Sequence, residues 1–140
     1  MLVRCLYASR AAAGLDAERI QSILVQSREN NPSLGVTGLL CYGEDVFIQV
    51  LEGGRDEVCD LYNAIAKDDR HTNVRILIFE EISERIFGNW KMGHVDLDRI
   101  NQSLLLKYSV KPKLDPFSCS GNATMALLNE LVATGSIVTK

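Results

Sequence analysis

The chain has 140 residues, of which 24% are charged and 46% hydrophobic, and its 15 basic and 18 acidic residues leave a formal net charge of -3. That is the balance of an ordinary globular domain long enough to bury its own core, and it is too weakly charged to point to a nucleic-acid partner. The first ten residues, MLVRCLYASR, carry a charge at the fourth position and turn polar, so they read as neither a secretory signal nor a membrane span. A cytoplasmic protein without a membrane partner is expected.

Residues 2–8 alternate weakly and predict a first strand. Asp16 stands where a helix N-cap belongs, with Leu15 and Ile20 placed as a hydrophobic staple, and Ile20, Ile23, Leu24 and Ser27 follow at helical spacing. Proline disfavours helical backbone in the residue before it, so this helix is expected to end near Asn30-Asn31-Pro32, with Asn31 extended just past the end. The stretch GVTGLLCYGEDVFIQVLEG, residues 35–53, predicts two apolar strands around the turn Gly43-Glu44-Asp45. Gly53-Gly54 reads as a loop. Val58, Leu61, Tyr62, Ile65 and Ala66 then mark a second amphipathic helix that runs out in KDDRH. VRILIFEEI is a strongly β-type run, and FGNWKMGHV a looser last strand.

The order is βαββαββ, which predicts an α+β, ferredoxin-like sandwich. GLLCY, VFIQVL and RILIF are apolar on both parities, so both sheet faces should be covered, whereas the two helices cover only one. INQSLLLKYS, the breaks at Pro112 and Pro116, and the stripe Met125, Leu128, Leu131 and Val132 ending at Gly135 predict a C-terminal helical cap on the second face. The division expected is 1–95 for the sandwich and 96–140 for the cap. Leu104, Leu105, Met125 and Leu128 exceed what one sheet face needs, so a homo-oligomer is expected.

Cys5, Cys41, Cys59 and Cys119 are scattered without a C-x-x-C pair, and His71 and His94 have no ligand spacing, so reduced core thiols and no metal site are expected. The polar residues raise a sharper question. Gln49 lies inside a strand between Phe47 and Leu51 on one face, where an unpaired amide costs about 1–3 kcal/mol. Tyr7 lies near the end of strand one. Strands one and three of this topology are central neighbours, which brings the two side chains within reach of each other. Singly, Tyr7, Trp90 and Met92 read as core and Asn31 as a turn former.

Taken together these residues resemble the BLUF domains, the blue-light sensors using flavin. The resemblance is carried by LYASR at 6–10, SRENNPSLGVTGLLCY at 27–42, VFIQVLEG at 46–53, DDRH at 68–71 and WKM at 90–92, in order over about residues 1–95. LLLKYS at 104–109 resembles the tail of the short, stand-alone members. The resemblance implies a noncovalently held flavin, FAD by preference with FMN or riboflavin open, lying between the two helices. It places Tyr7, Gln49 and Asn31 at the polar rim, Ile23 and Ile65 as the sandwich, and Phe47 beside the ring. Arg28, Asn30, Arg70 and His71 fall on the outer edge and ribityl-phosphate side. Tyr7 becomes the light-driven electron and proton donor, Gln49 the relay left rotated or tautomerised, and Trp90 or Met92 the neighbour that passes the change to a downstream signalling protein.

Two other readings differ in class. An acylphosphatase-like hydrolase needs an anion loop after strand one, and ASRAAAGLD offers Arg10 without a glycine-rich cradle. A colourless, light-insensitive ferredoxin-like module binding a small ligand or a partner remains the alternative. No catalytic triad or carboxylate pair is present in the sequence, so a sensor is expected rather than an enzyme.

Overall fold

The computed structural model describes residues 1–135 and the backbone of residues 137–139. The elements are β1 (Leu2–Ala11), α1 (Ala17–Leu34), β2 (Thr37–Gly43), β3 (Val46–Gly54), α2 (Arg55–Lys67), β4 (His71–Ile82), β5 (Gly93–Asp96), a 3-10 turn (Leu97–Arg99), α3 (Gln102–Tyr108), α4 (Gly121–Ala133) and β6 (Ile137–Thr139). One sheet runs in the order β4-β1-β3-β2-β5-β6. Its strands pair antiparallel except for β2 and β5, which are parallel. This is the ferredoxin-like arrangement read from the sequence, with β1 and β3 as central neighbours; β6, which extends the sheet beside β5, was not anticipated.

Alternation along the strands sorts their residues onto two faces. Val3, Cys5 and Tyr7 of β1, Leu40 of β2, and Phe47 and Leu51 of β3 pack beneath α1 and α2 with Ile20, Ile23, Leu24 and Val58. Leu6 and Ala8, Leu39 and Cys41, and Val46, Ile48 and Val50 point the other way, onto Leu105, Leu114, Met125, Leu127, Leu128 and Leu131 of the cap. The second face is thus covered as expected. Leu105, Met125 and Leu128 are buried in this packing and Leu104 is half-buried against it; among the described residues the exposed large apolar side chains of the cap region are Leu106 and Val110. All four cysteines are free thiols, Cys5 and Cys41 buried and the other two half-buried.

Local chemistry explains the element ends. The Asp16 side chain accepts the Arg19 N–H at 2.9 Å and starts α1, as its position predicts. The hairpin turn places Glu44 (φ 52°) and Asp45 (φ 62°) in left-handed backbone, the tight reversal that matches strand twist. Gly38 in β2 has no room for a side chain, because a Cβ would lie 1.9 Å from the Val50 carbonyl oxygen.

Four expectations are corrected. First, α1 does not stop at Pro32 but continues to Leu34, with Asn31 inside it. The ring's fixed φ suits a helix, and the run is closed by a Schellman motif: Gly35 (φ 70°) donates to the Pro32 carbonyl at 3.1 Å and Val36 to that of Asn31 at 3.0 Å. Second, Gly53-Gly54 is not a loop; both residues end β3, which leads directly into α2. Third, FGNWKMGHV forms a strand only at Gly93–Asp96. Ahead of it the backbone bonds elsewhere: Trp90 N–H to the Phe87 carbonyl at 3.1 Å, and the Ile86 and Phe87 amides to the Glu52 carboxylate. Fourth, β4 is an edge strand and is not covered on both faces, leaving Ile76 49% and Phe79 39% exposed.

Candidate functional site

Between α1 and α2 lies a cavity of about 280 Å3. Its floor is the sheet at Tyr7, Leu40 and Gln49, and its far end is closed by Asp68, Arg70 and His71. One wall comes from α1, with Ile23, Gln26, Ser27, Asn30, Asn31 and Leu34; the other comes from α2, with Leu61, Ala64 and Ile65. The walls are therefore apolar in their middle and polar at the rim.

Tyr7 and Gln49 are directly opposed in the β1–β3 register. The buried Tyr7 hydroxyl donates to Gln49 Oε1. The other end of the amide, Nε2, donates to Met92 Sδ at 3.4 Å. A thioether is a weak acceptor, so this N–H is poorly satisfied for a group only 3% exposed. Gln49 is consequently an amide whose acceptor is strongly engaged and whose donor is available to anything better in the cavity. Burial pushes the Tyr7 hydroxyl far above the ordinary phenol range, with smaller contributions from Cys5 and Tyr62, whose ring stands edge-on 5.8 Å away. Tyr7 is thus a neutral phenol at any physiological pH, and its proton leaves without creating a buried anion only if an electron leaves with it.

Asn31 is buried in the last turn of α1 and lines the cavity, with Asn30 beside it. His71, at the start of β4, shares a hydrogen bond of 2.9 Å between Nδ1 and Ser9 Oγ. Burial holds the imidazole below its usual pKa, opposed by Asp68 and assisted by Arg70. Arg70 grips Asp68 through Nε and Nη2 at 3.0 and 2.5 Å and donates to Gln26 Oε1 at 3.1 Å, tying the α2–β4 connection to α1 across the cavity. The Arg70 hydrogen bond also holds the Asp68 carboxyl below the usual range.

Of the residues singled out in the sequence, Tyr7, Ile23, Asn30, Asn31, Gln49, Ile65, Arg70 and His71 converge on this cavity. Three others are placed differently. Phe47 is buried behind His71, with ring centroids 4.6 Å apart, and does not line the cavity. Arg28 instead donates to the Met92 carbonyl through Nε at 3.2 Å and Nη2 at 3.0 Å. Trp90 does not share a strand face with Met92; it packs on Phe87 toward the cap, with ring centroids 5.5 Å apart, so Met92 alone of the two meets Gln49. Gln26, Leu40, Leu61, Ala64 and Asp68 line the cavity and were not named among the site residues. Leu61 could have been, since it lies on the same apolar stripe as Ile65, and Leu40 pairs with Gln49 in the hairpin register.

A slot with apolar walls, ending on an amide, a phenol and an asparagine, is the receptor of a flat heterocycle whose edge both accepts and donates hydrogen bonds. Flavin has that edge, and the poorly satisfied Gln49 N–H is the observation that suits it. The comparisons with known proteins agree. The family model described as BLUF, sensors of blue-light using FAD, matches residues 2–93, and the chain belongs to this family of flavin-based blue-light sensors. It is 33% identical over 92 residues to the photoactivated adenylate cyclase subunit beta of Euglena longa, of whose length it spans 11%. The structure of BlsA in its photo-activated state superposes with a TM-score of 0.86 at 30% identity, covering 94% of this chain and 95% of that one. The dark-state structure of the BLUF protein BlrB gives 0.80 at 29% identity, with 96% of each chain covered.

Proposed function

We propose that this domain uses Tyr7 and Gln49 as its photoactive pair and FAD as its flavin. The single observation that carries the reading is the chain of contacts from Tyr7 Oη to Gln49 Oε1 and from Gln49 Nε2 to Met92 Sδ at the floor of the slot. When bound, the flavin supplies blue-light absorption and, once excited, an appetite for one electron. Every other task falls to the chain. Ile23 and Ile65 hold the ring from the two helices and exclude water; Asn31, with Asn30 beside it, engages the polar edge; Arg70 and His71 take the ribityl-phosphate side.

Tyr7 releases an electron together with its hydroxyl proton, which Gln49 Oε1 is placed to receive. Gln49 relays that proton and is left rotated or tautomerised once charge has returned, so that its donor and acceptor ends are redistributed. No cysteine is required. Met92, the partner of the amide nitrogen, must then re-seat, and the segment carrying it leads into β5 and the cap. In this reading residues 1–95 are the flavin-binding unit and 96–140 the cap that passes the change to a downstream protein in the cytoplasm. Exposed Leu106 and Val110 make the cap side the proposed surface for self-association or for that partner.

The test is optical. The purified protein is expected to be yellow, to release FAD on denaturation, and to show a reversible red shift under blue light that disappears in Gln49→Leu. A colourless protein, or a normal shift in that variant, overturns the reading. Light scattering over a wide concentration range checks the oligomer, and a constant monomer mass removes it.

A further inference from the structure

Glu52 does not line the slot, yet its side chain is fully buried on the strand that carries Gln49. The carboxylate gathers donors from three directions. Oε2 receives Arg4 Nε at 2.9 Å and Nη2 at 2.8 Å together with the Ile86 N–H at 3.1 Å, and Oε1 receives the Phe87 N–H at 2.7 Å. Arg4 continues through Nη1 to Glu80 Oε1 at 2.9 Å. The Glu52 main-chain carbonyl is bound as well, by Arg85 Nη1 at 3.3 Å, which also reaches Thr37 Oγ1 at 3.0 Å.

Burying an ion pair is a poor route to stability, because well-packed apolar side chains of similar volume serve as well or better. What this one does is hold a segment that has no ladder of its own. Residues 85–92 are fastened at one end by Glu52 and at the other by Arg28 on the Met92 carbonyl, with Gly38 N–H on the Trp90 carbonyl at 3.3 Å between them. Both clamps stand on elements of the flavin site: Glu52 lies three residues beyond Gln49 on β3, and Arg28 three residues before Asn31 on α1. The side chain that hangs from the clamped segment onto the Gln49 amide is the buried Met92.

We propose that Glu52 is a positioning residue of the photoswitch: by binding the Ile86 and Phe87 amides it sets how far Met92 is carried over Gln49, and so couples the Gln49 rearrangement to the segment entering the cap. This rests on the reading of Gln49 as the switch. In the dark arrangement the clamp favours Met92 over the amide; after illumination it pulls against the re-seated Met92 and hastens return. Glu52→Gln puts an amide N–H among donors and frees at least one of the two loop amides.

The protein has three methionines, so methyl-labelled methionine gives a resonance for Met92 that its own substitution identifies. Glu52→Gln with flavin bound is expected to shift or broaden that resonance in the dark and to slow dark recovery about tenfold. In a Met92→Leu background the same change should alter recovery less than about twofold. Equal slowing in both backgrounds, or an unmoved Met92 methyl, overturns the proposal and leaves Glu52 a structural residue. Should Glu52→Gln fail to fold, Arg4→Lys keeps the charge but loses the two-pronged grip, and the same two readouts decide in the same way. A parent protein without any red shift, in which the substitution still moves the dark Met92 methyl, would condemn the Gln49 reading and not the clamp.

Discussion

Along β3 the side chains alternate between two environments: Phe47, Gln49 and Leu51 face α1 and α2, whereas Val46, Ile48 and Val50 face the cap. The cap face is apolar and tightly filled, with Phe87 and Trp90 among its aliphatic side chains; the cavity beside Ile48 is only about 10 Å3. The helix face keeps a cavity of about 280 Å3 and admits a phenol, four amides and an imidazole to its floor and rim. Both helices pack on that face, yet they stand apart enough to leave the slot. A single strand therefore fills the core with one set of residues and floors the slot with the other, one position apart, until Glu52, on the cap-facing parity, ties its own face to the segment carrying Met92.

Substitutions at neighbouring positions test that division. The largest effect belongs to Gln49→Leu, which is expected to keep flavin and lose the light-induced red shift entirely, read by light-minus-dark absorption. Tyr7→Phe keeps the ring and removes the donor, so it should match Gln49→Leu and fluoresce longer; a normal photocycle would make Tyr7 structural. Next comes Ile48→Ala, which truncates a fully buried side chain on the cap face and should cost about 2–5 kcal/mol in urea unfolding. Its red shift, measured on the folded protein, should equal the parent's. Loss of the shift there would mean that aliphatic packing on the cap face, and not only Glu52, reaches the slot.

The smallest effect is on pH. Burial lowers the pKa of His71 from an ordinary value of 6.5, and that of His94 likewise. The unfolded chain thus takes up the proton first, so the contribution of a neutral His71 is whole above about pH 6.5 and declines as pH falls through that value toward the folded pKa. Asp68 does not enter this window, because its pKa is lowered from 3.8. Melting temperature should drop between pH 7.5 and 5.5, and His71→Gln should drop less. An identical decline in both would move the effect to His94.

Much of this is legible in the sequence. Period-two alternation and the turn at Gly43-Glu44-Asp45 specify the central hairpin, and the same periodicity places Tyr7 and Gln49 on one face. The misreadings are of two kinds: a helix end set by its own closing motif, and a strand lost to distant hydrogen bonds. Pro32 reads as a stop, but the Schellman closure at Gly35 and Val36 prolongs the helix and puts Asn31 on its inner side. The strand expected at 87–95 fails because Glu52, 35 residues from Phe87, takes the amides that a ladder would need. Trp90 and Met92 part company for the same reason. Arg28 has the sequence of a site residue, and its carbonyl partner 64 positions away could not be read from a chain alone.

The open flank of the sheet carries a consequence for solubility. β4 offers twelve residues of edge with Ile76 and Phe79 exposed, the kind of border on which a foreign strand can add itself. Its register against β1 slips twice, between Leu6 and Tyr7 and between Ala8 and Arg10, and Asn73 sits in left-handed backbone at φ 52°. A stranger laid along this border would find the donors and acceptors out of step, and would meet Arg75, Glu80 and Glu81 in the process. The irregularity that makes β4 look like a poorly made strand is the kind of device by which sheet proteins guard an open margin against strand addition.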